Sequence, residues 1–304
     1  MLSVTFLGTA AACPTIERNV SGLAVQREGE TILFDCGEGT QRQMMRYGVG
    51  FTFREIFLTH YHSDHILGIT GLIRTLGLQD RSEPVTIYGP RPAEQVIRGL
   101  LNIGVERTRF PVEIREVRPG DRLSRDEYDI LVYETDHRAD TVGFALVEHE
   151  RLGRFNPERA RELGIPEGPL WGKIHRGEPV TTPDGRVVRP DELVGPTRPG
   201  RKLIYPGDTR PTPRVIEMAH GADLFIHEAT FTEDERDRAH ETGHSTARQA
   251  AEMARMASVR KLVLTHISAR YSREAPEVLE EAKAVFPETI IAKDGLTVDV
   301  PFVT

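Results

Sequence analysis

Histidine and aspartate side chains crowd one short segment of this chain. His60 opens the string His-Tyr-His-Ser-Asp-His, so four candidate metal ligands lie within the six positions that end at His65. A lone histidine at a strand end is usually a polar residue with an ordinary hydrogen-bond partner. Three histidines and an aspartate packed together without a cation would crowd groups that titrate near neutral pH. The string therefore predicts a metal site.

Three further candidate ligands come directly after strand-like segments, at His137, Asp208 and His266. Because the carboxyl ends of strands can meet at one edge of a sheet, we expect these side chains to converge. Imidazole nitrogens and carboxylate oxygens suit zinc, with manganese, iron or cobalt as substitutes, and the lack of cysteine ligands indicates a catalytic site. Seven ligands are enough for two metals if one carboxylate bridges them.

The elements that must hold these residues follow an α/β pattern. Short strand-like segments open the chain at 2–8, 21–26 and 31–37, and the last two predict a hairpin. Further along, apolar runs typical of buried strands alternate with segments of helical periodicity, clearest in TARQAAEMARMA and PEVLEEAKAVF. This mixture of hairpins and strand–helix units predicts an α/β fold with a mixed sheet.

Composition narrows the class of protein. The 304 residues are 38% hydrophobic and 28% charged, which is typical of a globular chain. The net charge of −7 argues against a protein that coats nucleic acid by bulk positive charge. No apolar run is long enough to cross a bilayer and the N-terminus lacks the charge of a signal peptide, so a cytoplasmic protein is expected. Cys13 and Cys36, the only cysteines, are predicted to be buried thiols.

One segment, from 150 to 202, departs from this pattern. It is rich in Pro, Gly and Arg and has few apolar residues in periodic order. It carries eleven Lys and Arg against eight Asp and Glu, a net of +3 that leaves −10 for the other 251 residues. So long a segment is either a solvated surface excursion or a functional arm. We interpret it as an insertion that separates 1–149 from 203–304.

Together these motifs resemble the metallo-β-lactamase superfamily and, within it, the short form of the tRNase Z family, endonucleases that remove the 3′ trailer from precursor tRNA. The resemblance covers essentially the whole chain and includes FLGTAAACPT, FDCGEGTQRQ, HEATF and GHST. It implies an α/β fold, a four-layer αβ/βα sandwich formed by 1–149 and 203–304. The insertion at 150–202 would be a flexible arm, or exosite, that grips tRNA. The implied partners are precursor tRNA and a second copy of the chain in a homodimer, with no membrane.

The resemblance also assigns roles to the candidate ligands. It implies two Zn²⁺ per chain, with Mn²⁺ or other divalent metals as substitutes. The residues implied for one zinc are His60, His62 and His137. Those implied for the other are Asp64, His65 and His266, with Asp208 bridging both metals.

The implied reaction is attack of a metal-activated hydroxide on a phosphodiester, which leaves a 3′-hydroxyl on the tRNA and a 5′-phosphate on the trailer. Asp64 is the implied proton acceptor. His244, in the GHST string, is implied to contact the scissile phosphate and to help the leaving group. His227 and Glu228 would lie behind the ligands and orient them or His244.

The resemblance implies substrate contacts in two places. In the string GPLWGK the implied contacts are Gly168, Pro169 and Lys173. Near the N-terminus the family has a Pro-x-Lys-x-Arg-Asn loop, in which this chain has Ile16 at the lysine position and keeps Arg18 and Asn19. For Arg18 and Asn19, a substrate contact and an ordinary loop role both stay open. The cut site relative to an encoded CCA stays open as well.

Two other functions compete with tRNA processing. A small-molecule phosphodiesterase or arylsulfatase of the same superfamily would share every ligand, but would not need an arm of about fifty residues. A non-catalytic RNA-binding protein on the same scaffold would have no physical need for the full set of ligands. The insertion therefore argues against the first alternative and the ligands argue against the second.

Overall fold

A computed structural model describes residues 1–105, 107–182, 184–271 and 274–303. The chain divides into two compact units. The first, here called the catalytic unit, comprises 1–125, 129–146 and 201–304. The second, here called the inserted unit, comprises 126–128 and 147–200. The sequence-based boundaries of 150 and 202 lie within three residues of the main inserted segment.

The regular elements of the described residues are as follows. The strands are β1 (Leu2–Gly8), β2 (Gly22–Arg27), β3 (Glu30–Phe34), β4 (Glu55–Phe57), β5 (Val85–Gly89), β6 (Val112–Glu116), β7 (Arg122–Ser124), β8 (Tyr128–Glu134), β9 (Val142–Glu148), β10 (Val180–Thr181), β11 (Val187–Val188), β12 (Lys202–Tyr205), β13 (Leu224–Glu228), β14 (Leu262–Thr265), β15 (Thr289–Ile291) and β16 (Thr297–Asp299). The α-helices are α1 (Thr40–Arg46), α2 (Ser63–Ile66), α3 (Gly68–Leu78), α4 (Ala93–Leu101), α5 (Pro157–Glu162), α6 (Pro169–His175), α7 (Pro213–Ala219), α8 (Arg236–Thr242), α9 (Ala247–Met256) and α10 (Pro276–Val285).

Two seven-stranded mixed sheets form the centre of the catalytic unit. The first has the order β16-β1-β2-β3-β4-β5-β6, antiparallel from β16 to β3 and parallel from β3 to β6. The second has the order β15-β14-β13-β12-β9-β8-β7, and its strands β12 to β15 are parallel. The mixed α/β architecture predicted from the sequence is confirmed.

Aromatic side chains join the two sheets face to face. Phe57 on β4 lies 5.3 Å from Phe144 on β9, measured between ring centroids, and Phe34 on β3 lies 6.2 Å from Tyr205 on β12. Helices α1, α3 and α4 bury apolar side chains against the first sheet, and α9 and α10 contact the second. The layers therefore run helix, sheet, sheet, helix, the predicted four-layer αβ/βα sandwich.

Local sequence explains where the clearest helices begin. Thr246 accepts a hydrogen bond from the backbone N–H of Gln249 and the Gln249 side chain accepts one from the Thr246 N–H, a capping box that starts α9. Pro276 occupies the first turn of α10, where its missing N–H leaves no hydrogen bond unmade. No helix among the described residues is both long and apolar enough to cross a membrane.

Two predictions about the N-terminal region are wrong in detail. Strand β3 ends at Phe34 rather than at residue 37, because Asp35 takes the left-handed backbone conformation with φ of +55°. Cys36 is buried as predicted, but Cys13 is exposed. Cys13 lies in the loop between β1 and β2, outside the sheets.

The inserted unit has a small apolar core of its own, although its sequence lacks a clear periodic pattern. The buried residues of this core are Ala160, Ile165, Ile174, Val180, Val188 and Leu193. Trp171 packs against them, its ring 5.2 Å from that of Phe155, and its indole N–H donates to the Ile165 carbonyl at 3.1 Å. Trp171 is therefore a packing residue of this core.

The positive charge expected of the insertion does not apply to this unit. Residues 126–128 and 147–200 carry nine Lys and Arg against eleven Asp and Glu, a net of −2. The excess of +3 counted from the sequence came partly from Arg201 and Lys202, which belong to the catalytic unit. Any attraction of the inserted unit to RNA must therefore come from individual side chains, because its net charge is slightly negative.

Candidate active site

The candidate ligands lie at the ends of strands in the catalytic unit. His60 follows β4, His137 follows β8, Asp208 follows β12 and His266 follows β14. The short helix α2 begins directly after His62 and carries Asp64 and His65. The structure brings all seven predicted ligands together, as expected for residues at the carboxyl ends of strands.

Three histidines form the first ligand group. The Nδ1 atom of His62 lies 3.0 Å from Nε2 of His60 and 3.1 Å from Nε2 of His137. His60 is fully buried, His137 is partly buried and His62 is exposed to solvent. With Asp208, these residues offer four ligand atoms that all lie within 4.8 Å of one another.

An aspartate and two histidines form the second ligand group, which is buried throughout. The Oδ2 atom of Asp64 lies 3.5 Å from Nε2 of His65 and 3.3 Å from Nε2 of His266. The backbone N–H of Ala12 also donates to this oxygen at 2.9 Å, so the N-terminal loop holds the Asp64 carboxylate in place.

One carboxylate oxygen lies next to both groups. Oδ2 of Asp208 is 3.8 Å from Nε2 of His60 in the first group. The same oxygen is 3.4 Å from Nε2 of His65 and 3.2 Å from Nε2 of His266 in the second. Asp208 is only 2% exposed, so this oxygen is shielded from water that could satisfy it.

The donor set fits divalent cations. Among the described residues, the Nε2 atom of His65 is buried and has no hydrogen-bond partner, although a buried polar atom without one is costly. Its Nδ1 atom pairs with Asp35, so Nε2 carries the lone pair and points into the second group. Nitrogen and oxygen ligands without sulfur are the set that zinc and manganese accept in catalytic sites.

Polar partners fix the rings of four ligand histidines through their Nδ1 atoms, which leaves each Nε2 facing the ligand groups. Two of these partners are threonine hydroxyls near strand ends. Nδ1 of His60 lies 3.0 Å from Thr59 Oγ1, and Nδ1 of His266 lies 2.8 Å from Thr230 Oγ1. Nδ1 of His65 lies 2.8 Å from Asp35 Oδ2, and Nδ1 of His137 lies 2.6 Å from the Gly243 carbonyl oxygen.

Sequence reasoning missed Asp35. Its fully buried carboxylate accepts hydrogen bonds from the Thr59 backbone N–H at 2.8 Å and from the Tyr205 hydroxyl at 2.8 Å, in addition to the contact with His65. Asp35 lies in the string FDCGEG, which was noted only as a family motif. A buried aspartate at the end of an apolar strand was the available signal.

Burial sets the protonation of the ligands. It lowers the pKa of His60 well below the usual range and lowers those of His62 and His137, which keeps these rings neutral and able to bind a cation. Burial opposes the charge on Asp208, but the neighbouring His266 and His65 outweigh it and hold the pKa of that carboxyl well below its usual value. The first ligand group therefore offers neutral imidazoles beside an ionised carboxylate. In the second group burial opposes the charge on His65, but the Asp208 and Asp35 carboxylates outweigh it and raise the pKa of His65.

His244 is close to the ligand groups and is paired with a buried carboxylate. Its Nδ1 atom lies 2.8 Å from Oε1 of Glu228 and 3.9 Å from Oδ2 of Asp208. Burial opposes protonation of His244, but the charge and hydrogen bond of Glu228 raise its pKa to about 9. His244 is thus cationic at neutral pH, with 15% of its side chain exposed.

The two residues predicted to orient the ligands differ in what they contact. Glu228 is buried and accepts hydrogen bonds from the backbone N–H groups of Thr209 and Thr230 as well as contacting His244. The His227 ring instead donates from Nδ1 to the Glu228 carbonyl at 2.7 Å and packs against Phe225. Glu228 therefore contacts the His244 ring, whereas the hydrogen bond of the His227 ring goes to the backbone at the strand end.

The N-terminal loop gives a correction for Arg18. Its side chain is 4% exposed and donates to Thr9 Oγ1 at 2.7 Å and to the Ala292 carbonyl at 2.6 Å, so it fastens the loop rather than meeting substrate. Asn19 is partly buried and donates to the Glu38 carbonyl at 2.8 Å. Ile16 is 97% exposed, so the loop presents an apolar tip where the family has lysine.

The predicted tRNA contacts of the arm lie at one end of helix α6 in the inserted unit. Gly168, with φ of +140°, precedes the helix, Pro169 is its first residue, and Lys173 follows one turn later. All three residues are exposed. This surface is accessible to a large ligand.

Comparison with known proteins shows the family. A model described as Anti-Pycsar protein Apyc1 matches residues 2–151, and one described as Beta-lactamase superfamily domain matches residues 193–267. A protein named Ribonuclease Z from Gemmatimonas aurantiaca is 58% identical over 300 residues, which are 98% of this chain and 96% of that protein. The chain belongs to the ribonuclease Z family. A Ribonuclease Z from Myxococcus xanthus is 51% identical over 302 residues, covering 99% and 98% of the two chains.

A solved ribonuclease Z agrees in fold as well. The crystal structure of the human short-form tRNase Z superimposes with a TM-score of 0.72 at 26% identity, covering 99% of this chain and 100% of that one. The predictions of the tRNase Z family, of the metallo-β-lactamase fold and of a tRNA 3′-processing endoribonuclease are therefore confirmed.

Proposed function

We propose that this ribonuclease Z cuts the 3′ trailer from precursor tRNA at a centre of two divalent cations, with zinc the preferred metal. The observation that carries the proposal is the position of Asp208 Oδ2, within 3.2–3.8 Å of nitrogens from both ligand groups. A shared carboxylate oxygen of this kind suits two cations held close together.

Each ligand group would hold one cation. His60, His62 and His137 would hold one cation, Asp64, His65 and His266 the other, and Asp208 would contact both. When bound, such a pair lowers the pKa of a coordinated water to near 7 and neutralises charge on the phosphoryl oxygens. Manganese or another divalent metal could replace zinc at these nitrogen and oxygen ligands.

Two side chains of the catalytic unit would move protons. Asp64, held by the Ala12 N–H, takes up the proton of the attacking water. His244 donates from Nδ1 to Glu228 and so keeps the proton on Nε2 for the departing 3′-oxygen of the tRNA. The products would be a 3′-hydroxyl on the tRNA and a 5′-phosphate on the trailer.

The inserted unit would bind the body of the tRNA. Its apolar core gives it a defined shape, and the exposed surface around Gly168, Pro169 and Lys173 offers backbone and an ammonium to RNA phosphates. A homodimer, in which the inserted unit of one subunit serves the site of the other, and a cytoplasmic location also form part of the proposal. Their support is the family's properties.

Cleavage of a 3′-extended precursor tRNA tests this function. Precursors with and without an encoded CCA are incubated with wild type, His62→Ala and the control His220→Ala, which changes an exposed histidine outside the ligand groups. We expect one metal-dependent cut at the tRNA 3′ end, lost in His62→Ala and kept in the control. Mapping both product ends to the nucleotide also locates the cut relative to an encoded CCA in a chain that has Ile16 at this position.

The opposite result would identify a different enzyme of the same superfamily. If neither precursor is cut while a small chromogenic phosphodiester is still hydrolysed, the chain acts on small esters and the proposed role of the inserted unit is wrong.

A further inference from the structure

Thr230 lies where the second ligand group meets the Glu228–His244 pair. Its side chain is 4% exposed, two residues after the end of β13. Its hydroxyl oxygen is 2.6 Å from Oε2 of Glu228, 2.8 Å from Nδ1 of His266 and 3.4 Å from Nδ1 of His244. No step of the mechanism above uses this hydroxyl, yet it contacts a ligand, the proposed proton donor and the carboxylate between them.

The direction of these hydrogen bonds follows from the number of protons available. The Glu228 carboxylate accepts from the backbone N–H of Thr209 at 3.0 Å and from that of Thr230 at 3.2 Å, so it acts as an acceptor on both oxygens. A threonine hydroxyl has one hydrogen to donate, and the carboxylate is the acceptor at 2.6 Å. His266 must then donate its Nδ1 hydrogen to the Thr230 oxygen.

This direction determines which nitrogen of His266 can bind a cation. With the hydrogen on Nδ1, the lone pair is on Nε2, which lies 3.3 Å from Asp64 Oδ2 and 3.2 Å from Asp208 Oδ2. The His266 backbone has φ of +55°, a left-handed conformation that is uncommon for residues other than glycine. The Thr230 hydroxyl is the polar partner that holds the His266 ring through Nδ1.

We infer that Thr230 is a positioning residue that fixes the tautomer and orientation of His266 and links this ligand, through Glu228, to His244. One hydroxyl then helps to fix the orientation of a ligand in the second group and of the carboxylate that pairs with the proton donor. The chain runs from His266 Nδ1–H to Thr230 Oγ1, from the Thr230 hydroxyl to Glu228 Oε2, and from His244 Nδ1–H to Glu228 Oε1. The inference rests on the proposed cation centre.

Two substitutions separate the hydroxyl from the shape of the side chain. Thr230→Val removes the hydroxyl and keeps the branched volume, whereas Thr230→Ser keeps the hydroxyl and removes a methyl group. Thr289→Val is the matched control, because Thr289 is a buried threonine on edge strand β15 whose hydroxyl donates to the Phe286 carbonyl. Zinc per chain and zinc affinity are measured by mass spectrometry and by competition with a chelator, alongside cleavage of precursor tRNA.

We expect Thr230→Val to weaken the binding of one of two zinc ions by about 10–100-fold, the range for loss of a partner behind a metal ligand. Cleavage should fall in parallel, Thr230→Ser should restore both properties, and Thr289→Val should bind zinc like wild type. Wild-type zinc affinity in Thr230→Val, or equal damage in Thr230→Ser, would overturn the inference and leave the cation centre standing. Wild-type protein that binds no zinc would instead overturn the cation centre itself and the inference with it.

Discussion

The carboxylates at the ligand centre of the catalytic unit and the charged side chains around helix α5 of the inserted unit are held in opposite ways. In the catalytic unit Asp35 and Asp208 are 0% and 2% exposed and share hydrogen bonds or close contacts with several partners. In the inserted unit, charged residues pair locally at the surface, as Arg159 does with Glu162 and Arg161 with Glu167. Breaking a buried network costs about 3–5 kcal/mol, and an exposed pair contributes about 0–1 kcal/mol.

This difference indicates a division of labour. Buried, mutually fixed groups keep a reactive geometry constant, which the cleavage of any phosphodiester requires. Exposed groups adapt to a large ligand and contribute to affinity in small increments. Substitutions in the catalytic unit should therefore affect every substrate, and changes in the inserted unit should affect RNA alone.

The largest effect is expected for Asp208→Ala. Removing the oxygen that both ligand groups share should reduce hydrolysis of precursor tRNA and of a small chromogenic phosphodiester alike, by about 10³-fold or more. Bound zinc should fall below one ion per chain by mass spectrometry. Asp299→Ala, which changes an exposed aspartate on β16, is the control. Retention of either activity would show that Asp208 is not shared by two working cations.

Next comes His244→Ala, whose effect should depend on the leaving group. Precursor tRNA cleavage should fall by about 10²–10⁴-fold, because the 3′-oxygen is a poor leaving group that needs a proton. Hydrolysis of a nitrophenyl diester should fall by less than about 10-fold, since nitrophenolate leaves unprotonated. Single-turnover kinetics on both substrates measures the two ratios. Equal losses would make His244 a structural or binding residue instead of a proton donor.

Removing most of the inserted unit should separate the two substrates. Arg151 and Arg198 exchange backbone hydrogen bonds of 2.7 and 2.9 Å, so replacing 153–196 by a short Gly-Ser linker keeps this pair. Arg201 must also stay, because its buried side chain donates to the Val300 carbonyl at 3.1 Å. We expect kcat/KM for precursor tRNA to fall by about 10²-fold or more, with the small diester changed by less than about 3-fold.

Two outcomes would contradict that separation. Undiminished tRNA cleavage would show that the inserted unit does not hold the substrate. Loss of both activities in a chain that still unfolds cooperatively would show that the unit contributes to the chemistry.

The smallest effect is expected for a single exposed cation. Lys173→Ala should raise KM for precursor tRNA by about 3–10-fold, leave kcat unchanged and reduce the slope of log affinity against log salt by about one. Arg176→Ala, which changes a neighbouring cation that already faces Glu178 at 3.7 Å, is the matched comparison and should have the weaker effect. A fall in kcat for Lys173→Ala, or an unchanged salt slope, would argue against a phosphate contact.

The sequence predicted those features that depend on residues close together along the chain. The string from His60 to His65 lies in a strand end and one helical turn, so spacing alone identified four ligands. The helix α9 could likewise be predicted, because its apolar positions and its capping residues are contiguous.

The remaining features depend on contacts between distant segments. Asp35 reaches His65 from thirty positions away and Thr230 reaches His266 from thirty-six, and neither pairing leaves a periodic trace. The sequence left Arg18 open between a substrate contact and a loop role, because the residue that decides between them, Ala292, is 274 positions away and accepts a hydrogen bond from the buried Arg18 side chain. The charge of the inserted unit was misjudged because its limits are set by folding.

The most direct test is a zinc titration of metal-free protein with simultaneous readout of precursor tRNA cleavage. Two ligand groups that share Asp208 predict that cleavage appears only as the second equivalent of zinc binds to each chain, and that it is lost again when a chelator removes the metal. Full cleavage with one equivalent per chain, or cleavage that persists in excess chelator, would contradict a two-cation centre built on these residues.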